Sequence, residues 1–265
     1  MKRIIVALII LLALSGCSSA DKRKMVAIDG STSMEKVIGF LSEVYMEKNP
    51  DVKITYNPTG SGAGINAALQ ERCDIGLSSR DLNDGEKQTL AGTKIAIDGI
   101  AVIVNKKNRT DDLSVEQIAK IFTGEITNWS EIGGDDAPIV LIGREAASGT
   151  RDGFETVTDT VGRCKYNQEL TSTGDVVGAV SGNPNTIGYT SVESVKGTVK
   201  VLTVEGVNPE TESIQSGEYK LQRDFIFVTR KGTPLSDTAQ EFFDFAVSDE
   251  ADKWIIRAGA VPVLK

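Results

Sequence analysis

The strongest constraint on this chain is a pattern that recurs along it: a short apolar run, a turn of Ser, Thr and Gly, then apolar residues at helical spacing. "KMVAI" (24 to 28) reads as a strand, "DGSTS" follows, and Met34, Val37, Ile38, Leu41, Val44 and Tyr45 then mark one helix face until Asn49-Pro50 stops it. Thr32 and Glu35 have the spacing of a capping box, which predicts that the helix starts inside the Ser/Thr cluster. The unit repeats as "VKITYNP" (52 to 58), "TGSGAG" (59 to 64) and "INAALQER", and a third buried strand, "CDIGLSS" (73 to 79), ends in a polar tip. Strands joined through helices run parallel with right-handed crossovers, and sheets of that kind carry their ligand crevice at the carboxyl ends of the strands.

"KIAIDGIAVIVNKKN" (94 to 108) is unusually long for one strand and is interrupted by Asp98-Gly99, so it reads as a strand leaving one domain and entering another. A second unit follows. Ser114 with Gln117 caps "VEQIAKIFTGE", "APIVLIG" and "TIGYTS" are strands, and "SGTRDGFETV" and "TGDVVGAVSGNP" are helices. "RDFIFVTRKG" (223 to 232) mirrors the earlier long strand and returns the chain to the first domain, where the amphipathic "DTAQEFFDFAVS" and "DEADKWIIRAG" finish it.

The first residues, "MKRIIVALIILLALSGCSSA", have the layout of a secretory leader, with an apolar run too short to span a bilayer. Leu14-Ser15-Gly16-Cys17 also resembles the bacterial lipoprotein cleavage box, which implies a lipid on Cys17; a plain secretory signal that contains a Cys has the same layout. Losing Lys2 and Arg3 with the leader, and no acid, moves the formal charge from -8 to -10, which argues against nucleic acid as a partner. Cys73 and Cys164 remain, either paired or as small apolar residues, the unpaired state being favoured. The chain has no His, so it has no Ser-His-Asp triad, no Cys-His pair and no ordinary zinc site.

Four clusters share one grammar. "GSTS" (30 to 33), "GSGAG" (60 to 64), "SSRD" (78 to 81) and "SGTRD" (148 to 152) each follow a strand, and three of them also open a helix. Such junctions turn backbone N–H groups and hydroxyls toward one point at the positive end of a helix dipole, where an anion fits. Arg144 ends the strand before the fourth cluster and can grip two oxygens of the same anion in a fork, while Arg151 has an alternative partner in Asp152 or Glu155. Taken singly, every one of these residues has an ordinary structural reading as a cap, turn or surface ion pair. Trp129 and Tyr189 read as packing anchors.

The ordered set "DGSTSMEKV", "NPTGSGAGI", "CDIGLSSRDL", "DGIAVIVN", "IFTGEITNWSEIGG", "REAASGTRDGFE" and "NTIGYTSV" strongly resembles the phosphate-binding lipoproteins of bacterial ABC phosphate importers. The resemblance implies an α/β, type II periplasmic-binding-protein fold: two lobes, each a mostly parallel sheet flanked by helices, joined by two crossing strands. Residues 1–16 are then the signal peptide and 17–24 a lipidated tether; 25–98 plus 227–265 form lobe 1 and 99–226 lobe 2. It implies a monomer with no cofactor and no enzymatic activity, outside the cytoplasm and anchored through Cys17, that binds inorganic phosphate and hands it to an ABC permease. Ser31, Thr32, Ser61, Arg144, Ser148, Gly149 and Thr150 match the family's ligand positions. Ser79 stands where long members carry a proton-accepting Asp, so Asp98, then Asp152 or Asp81, is expected to supply that acid. Ala146 replaces an acid that often supports the Arg, which leaves that role to Glu145 or to nothing. A receptor for sulfate or molybdate, and a phosphate-handling surface enzyme, are the alternatives.

Overall fold

The computed structural model describes residues 24–263. The first part builds β1 (Lys24–Gly30), α1 (Glu35–Lys48), β2 (Val52–Pro58), α2 (Ser61–Leu69), β3 (Ile75–Ser78) and α3 (Asp84–Thr89) before the long β4 (Leu90–Asn105). The second adds β5 (Asp112–Leu113), α4 (Val115–Phe122), β6 (Val140–Arg144), α5 (Gly149–Val157), β7 (Gln168–Leu170), α6 (Thr173–Gly182), β8 (Thr186–Ser191), β9 (Val199–Val201), β10 (Thr203–Val204) and α7 (Thr211–Gln215). β11 (Gln222–Arg230) then returns, followed by α8 (Asp237–Ala246), α9 (Asp249–Ala258) and β12 (Val261–Pro262).

The main sheet runs β2-β1-β3-β11-β4-β8-β6-β7. β2-β1-β3 and β8-β6-β7 are each parallel, as crossover helices require, while β11 and β4 pair antiparallel between them. β4 is the strand that changes sides: Leu90 to Gly99 pair with β11, and Ile100 to Val104 pair with β8. A bulge skips Ile95 near that transition and bends the strand. The cores divide at the same level. Ala96 and Phe225 pack with Val26, Leu41 and Phe242, whereas Ile100 and Leu221 pack with Val102, Phe122, Trp129 and Phe154.

Two of the expected capping boxes behave differently. Ser114 and Gln117 cap α4 reciprocally, but Thr32 and Glu35 do not: a 3₁₀ turn at Thr32–Met34 precedes α1, whose start has no side-chain cap of its own. Cys73 and Cys164 are free, and burial raises the Cys73 thiol to about 12. Cys17 lies outside the described residues.

Two buried acids tie the parts together at the crossing. Asp98 on β4 accepts two bonds from Arg223 on β11, from Nε at 3.1 Å and Nη2 at 2.9 Å, and one from the Ser191 hydroxyl at 2.6 Å. Burial outweighs even these partners and raises Asp98 to about 6. Glu193, in the turn after β8, supplies the cap that α1 lacks: the N–H groups of Lys36, at 3.3 Å, and Val37 donate to its carboxylate. Burial, with Asp98 nearby, holds the Glu193 carboxyl well above the usual range.

Removing one partner of a buried pair strands the other, so Asp98→Ala should cost about 3–5 kcal/mol in urea unfolding. Asp224→Ala, which breaks the partly exposed Lys94–Asp224 pair on the same two strands, should cost less than about 1 kcal/mol. Because the native pKa of Glu193 is raised, its stabilising protonation is present at low pH and is lost as pH rises through that pKa. Glu193→Gln keeps the acceptor without the titration, so its melting temperature should exceed the parent's at pH 8, by a margin that shrinks toward pH 5.

Candidate functional site

The carboxyl ends of the parallel strands meet across the crossing, and the Ser/Gly clusters meet with them. α2 begins at Ser61 because Gly60, its N-cap, adopts a positive φ of 97° that a side chain would disfavour. The Ser61 hydroxyl lies 3.1 Å from that of Ser79 at the end of β3, and the Ser79 N–H donates to Ser61 at 3.1 Å. Ser31, after β1, donates to Ser79 at 2.9 Å and reaches Ser33 at 3.5 Å. Ser33 then crosses to the other part of the molecule, 2.9 Å from the Thr150 hydroxyl in the first turn of α5. These five hydroxyls form one buried chain from β3 to α5. A second bridge joins Thr32 to Thr173 at the start of α6, at 2.9 Å.

Arg144 ends β6 beside this chain and is only 1% exposed. Its Nη1 donates to Thr173 at 3.1 Å, its Nη2 to the Thr171 carbonyl at 2.9 Å, and its Nε to the Leu170 carbonyl at 3.0 Å. Glu145 accepts along the same Nε/Nη2 edge, at 3.0 Å from Nη2 and 3.3 Å from Nε, whose single hydrogen it shares with Leu170. Ser148 caps α5 by accepting from the N–H groups of Thr150 and Arg151, which leaves its hydroxyl hydrogen free to donate. Gly149 is packed so closely that a Cβ there would fall 2.6 Å from the hydroxyl oxygens of Ser61 and Ser79.

Ser31, Thr32, Ser61, Ser79, Arg144, Ser148, Gly149 and Thr150 are therefore brought together. Asp98 is not. Its carboxylate is consumed by Arg223, Ser191 and the Val192 N–H, because a fully buried carboxylate at the strand crossing takes the guanidinium directly opposite. The expectation that Asp98 stands in the cleft as a proton acceptor is corrected on that ground. Asp152 and Asp81 line a separate open pocket with Arg80, Lys94 and Arg223, where burial raises the Asp152 carboxyl. The acid that does touch the site is Glu145, through Arg144. Arg151 pairs with Glu155, at 2.7 Å, and with Glu169 at 3.1 Å.

Sequence reasoning passed over Thr173 and Ser33. Thr173 had a legible signal: "STGD" (172 to 175) is a further hydroxyl and glycine cluster that opens a helix straight after a strand. Ser33 lies within the "GSTS" cluster, with no feature of its own that sets it apart from Ser31 and Thr32. The N-termini of α2, α5 and α6, each with its partial positive charge, the 3₁₀ turn at Thr32–Met34 and one guanidinium thus gather around the hydroxyls. No carboxylate is bonded into the hydroxyl chain among the described residues. The chemistry is that of a cradle for a compact oxyanion.

The PBP superfamily domain matches the chain over residues 16–250, and the phosphate-binding protein PstS of Borreliella burgdorferi is 30% identical over 94% of either chain. The chain belongs to the PBP superfamily and, within it, to the PstS phosphate-binding proteins. PstS of Bacillus subtilis is similarly related, at 31% identity over 90% of this chain and 80% of its own. Among solved structures, a Clostridium perfringens protein assigned as a phosphate ABC transporter substrate-binding protein, with bound phosphate, superposes with a TM-score of 0.87. It is 38% identical, over 91% of this chain and all of its own. An ABC-type phosphate transport receptor from Vibrio cholerae gives a TM-score of 0.73 at 31% identity, over 90% of this chain and all of its own. Residues 1–18 match the prokaryotic membrane lipoprotein lipid attachment site, which places the mature chain outside the cytoplasm on a membrane anchor. No helix among the described residues is long and apolar enough to cross a membrane.

Gly149→Ala tests whether the two parts close on each other here. The added methyl would also meet the Ser79 backbone at 2.7 Å, which cannot yield as a side chain does, so the cleft should open. In saturating inorganic phosphate, small-angle scattering should give a larger radius of gyration than the parent's, with unfolding stability changed by less than about 1 kcal/mol because Ala favours a helix. An unchanged radius would contradict the packing described.

Proposed function

We propose that this chain captures inorganic phosphate between two lobes and delivers it, unaltered, to the transmembrane subunits of an ABC importer. The observation that carries the reading is the convergence of Arg144, the N-termini of α2, α5 and α6, and buried hydroxyls from both sides of the crossing. Residues 25–98 with 227–265 act as one lobe and 99–226 as the other, with 222–226 in the crossing strand. In the open state each lobe offers half of the donors to water. Closure lets both halves donate to one anion, and a buried oxyanion holds such a state because every lone pair left unmet is costly.

In this reading Ser31, Thr32, Ser61 and Ser79 serve the anion from lobe 1, and Arg144, Ser148, Gly149, Thr150 and Thr173 serve it from lobe 2. Hydroxyls donate and accept, so Ser79, flanked by Ser31 and Ser61, can accept the hydrogen bond of a hydrogen phosphate that a carboxylate would otherwise accept. The protein works as a monomer and performs no turnover.

Titration calorimetry with inorganic phosphate tests this. Arg144→Ala should weaken binding by at least about 100-fold, while Lys53→Ala, at an exposed strand position, should bind as the parent does. Equal affinities for the two variants would reject the assignment. Sulfate and molybdate as competitors distinguish phosphate from other oxyanions, and a generic phosphoester should remain uncleaved.

A further inference from the structure

Arg144 is the last residue of β6, and its main chain stands where one side of the strand has run out of sheet. The ladder from β6 to β8 ends at Ile142 opposite Gly188, while the ladder to β7 continues to Arg144 opposite Leu170. Side chains take up what β8 no longer provides. The Arg144 N–H donates to the Tyr189 hydroxyl at 3.3 Å, and the Arg144 carbonyl accepts from Arg151 Nη1 at 3.0 Å.

From those two atoms the bonding closes on itself. The Tyr189 and Tyr166 hydroxyls are 3.0 Å apart, Tyr166 donates to Glu155 Oε1 at 3.0 Å, and Arg151 Nε donates to that same oxygen at 2.7 Å. A carboxylate only accepts, which fixes the order of protons: Tyr166 donates to Glu155, Tyr189 donates to Tyr166, and Arg144 donates to Tyr189. The ring is also held by packing. Tyr189 stacks on Phe154 with centroids 4.0 Å apart, and the Arg151 guanidinium lies over Tyr166, 4.9 Å from its centroid. Tyr166 comes so near β6 that a Cβ at Gly143 would fall 2.3 Å from its ring.

We infer that Tyr166, Tyr189, Glu155 and Arg151 are positioning residues: they clamp the Arg144 peptide from both sides so that its guanidinium keeps one heading in the cleft. Neither tyrosine hydroxyl is bonded to the hydroxyl chain, so both act through Arg144. A forked donor loses its advantage once its base shifts or turns, because two bonds must align at once. As a statement about phosphate affinity this rests on the function proposed above; as a statement about the guanidinium it does not.

The test uses the mature chain carrying Tyr166→Phe or Tyr189→Phe, each made in the parent and in an Arg144→Lys background. Phe keeps the ring and removes only the hydroxyl. In the parent, each change should weaken binding of inorganic phosphate about tenfold, the scale of one lost buried hydrogen bond. In the Arg144→Lys background the loss should stay below about twofold, since an ammonium has no fork to misalign. In the ligand-free parent, the Arg144 Nε–H signal in nitrogen-15 spectra should be protected from exchange, and either Phe variant should lose that protection. Equal losses of affinity in both backgrounds, or unchanged Nε–H protection, would overturn the inference. Should the parent not bind phosphate, the functional reading falls and the Nε–H protection alone decides the ring. Glu155→Gln, with the same expectations, replaces any Phe variant that fails to fold.

Discussion

A guanidinium that is almost fully buried needs an acceptor on every side, and much of the second half of this fold is arranged to give Arg144 those acceptors. The carbonyls of Leu170 and Thr171, where β7 runs out toward α6, take two of its edges. Glu145 balances its charge from the next position in the chain, and the Thr173 hydroxyl meets it at the mouth of α6. Burying a charge without such partners would cost several kcal/mol, so the loop between β7 and α6 is as much a part of the site as the residues that face the cleft. The result is a cation fixed at the seam between two halves, with helix N-termini adding positive potential around it.

That arrangement explains why the hydroxyls behave as they do. Thr32 has the sequence of a helix cap and does not act as one; its hydroxyl turns instead to Thr173 across the seam. α1 therefore starts without a cap of its own, and the Glu193 carboxylate, from the other side of the crossing, supplies one. Local helix stability is exchanged for a contact between halves. Departures from local preference of this kind gather at functional sites, and here the departure lies directly in the hydroxyl network.

Much of this was legible in the sequence because the signals were local. β2 and β8 appear over the residues their apolar runs marked, the Ser114–Gln117 box forms, and the Ser/Gly junctions converge as their place at strand ends implied. Ser148, inside the cluster that follows Arg144, caps α5. What sequence could not give was competition between partners in space. Asp98 was a plausible acid for the cleft until Arg223, 125 residues away, proved to be its pair. α3 carries no buried residue and so has no apolar period to read, although its Asn83–Glu86 capping box marks it. The closed ring around Arg144 joins residues from two strands, a helix and a loop, and no spacing announces it.

The most direct measurement of the central claim is hydrogen–deuterium exchange of the mature protein with and without inorganic phosphate, resolved to the Thr32–Met34 turn and the first turns of α2, α5 and α6. The account predicts that phosphate slows exchange at all four together, since one anion engages donors from both lobes. Protection confined to helices of a single lobe, or no protection at any of them, would contradict it.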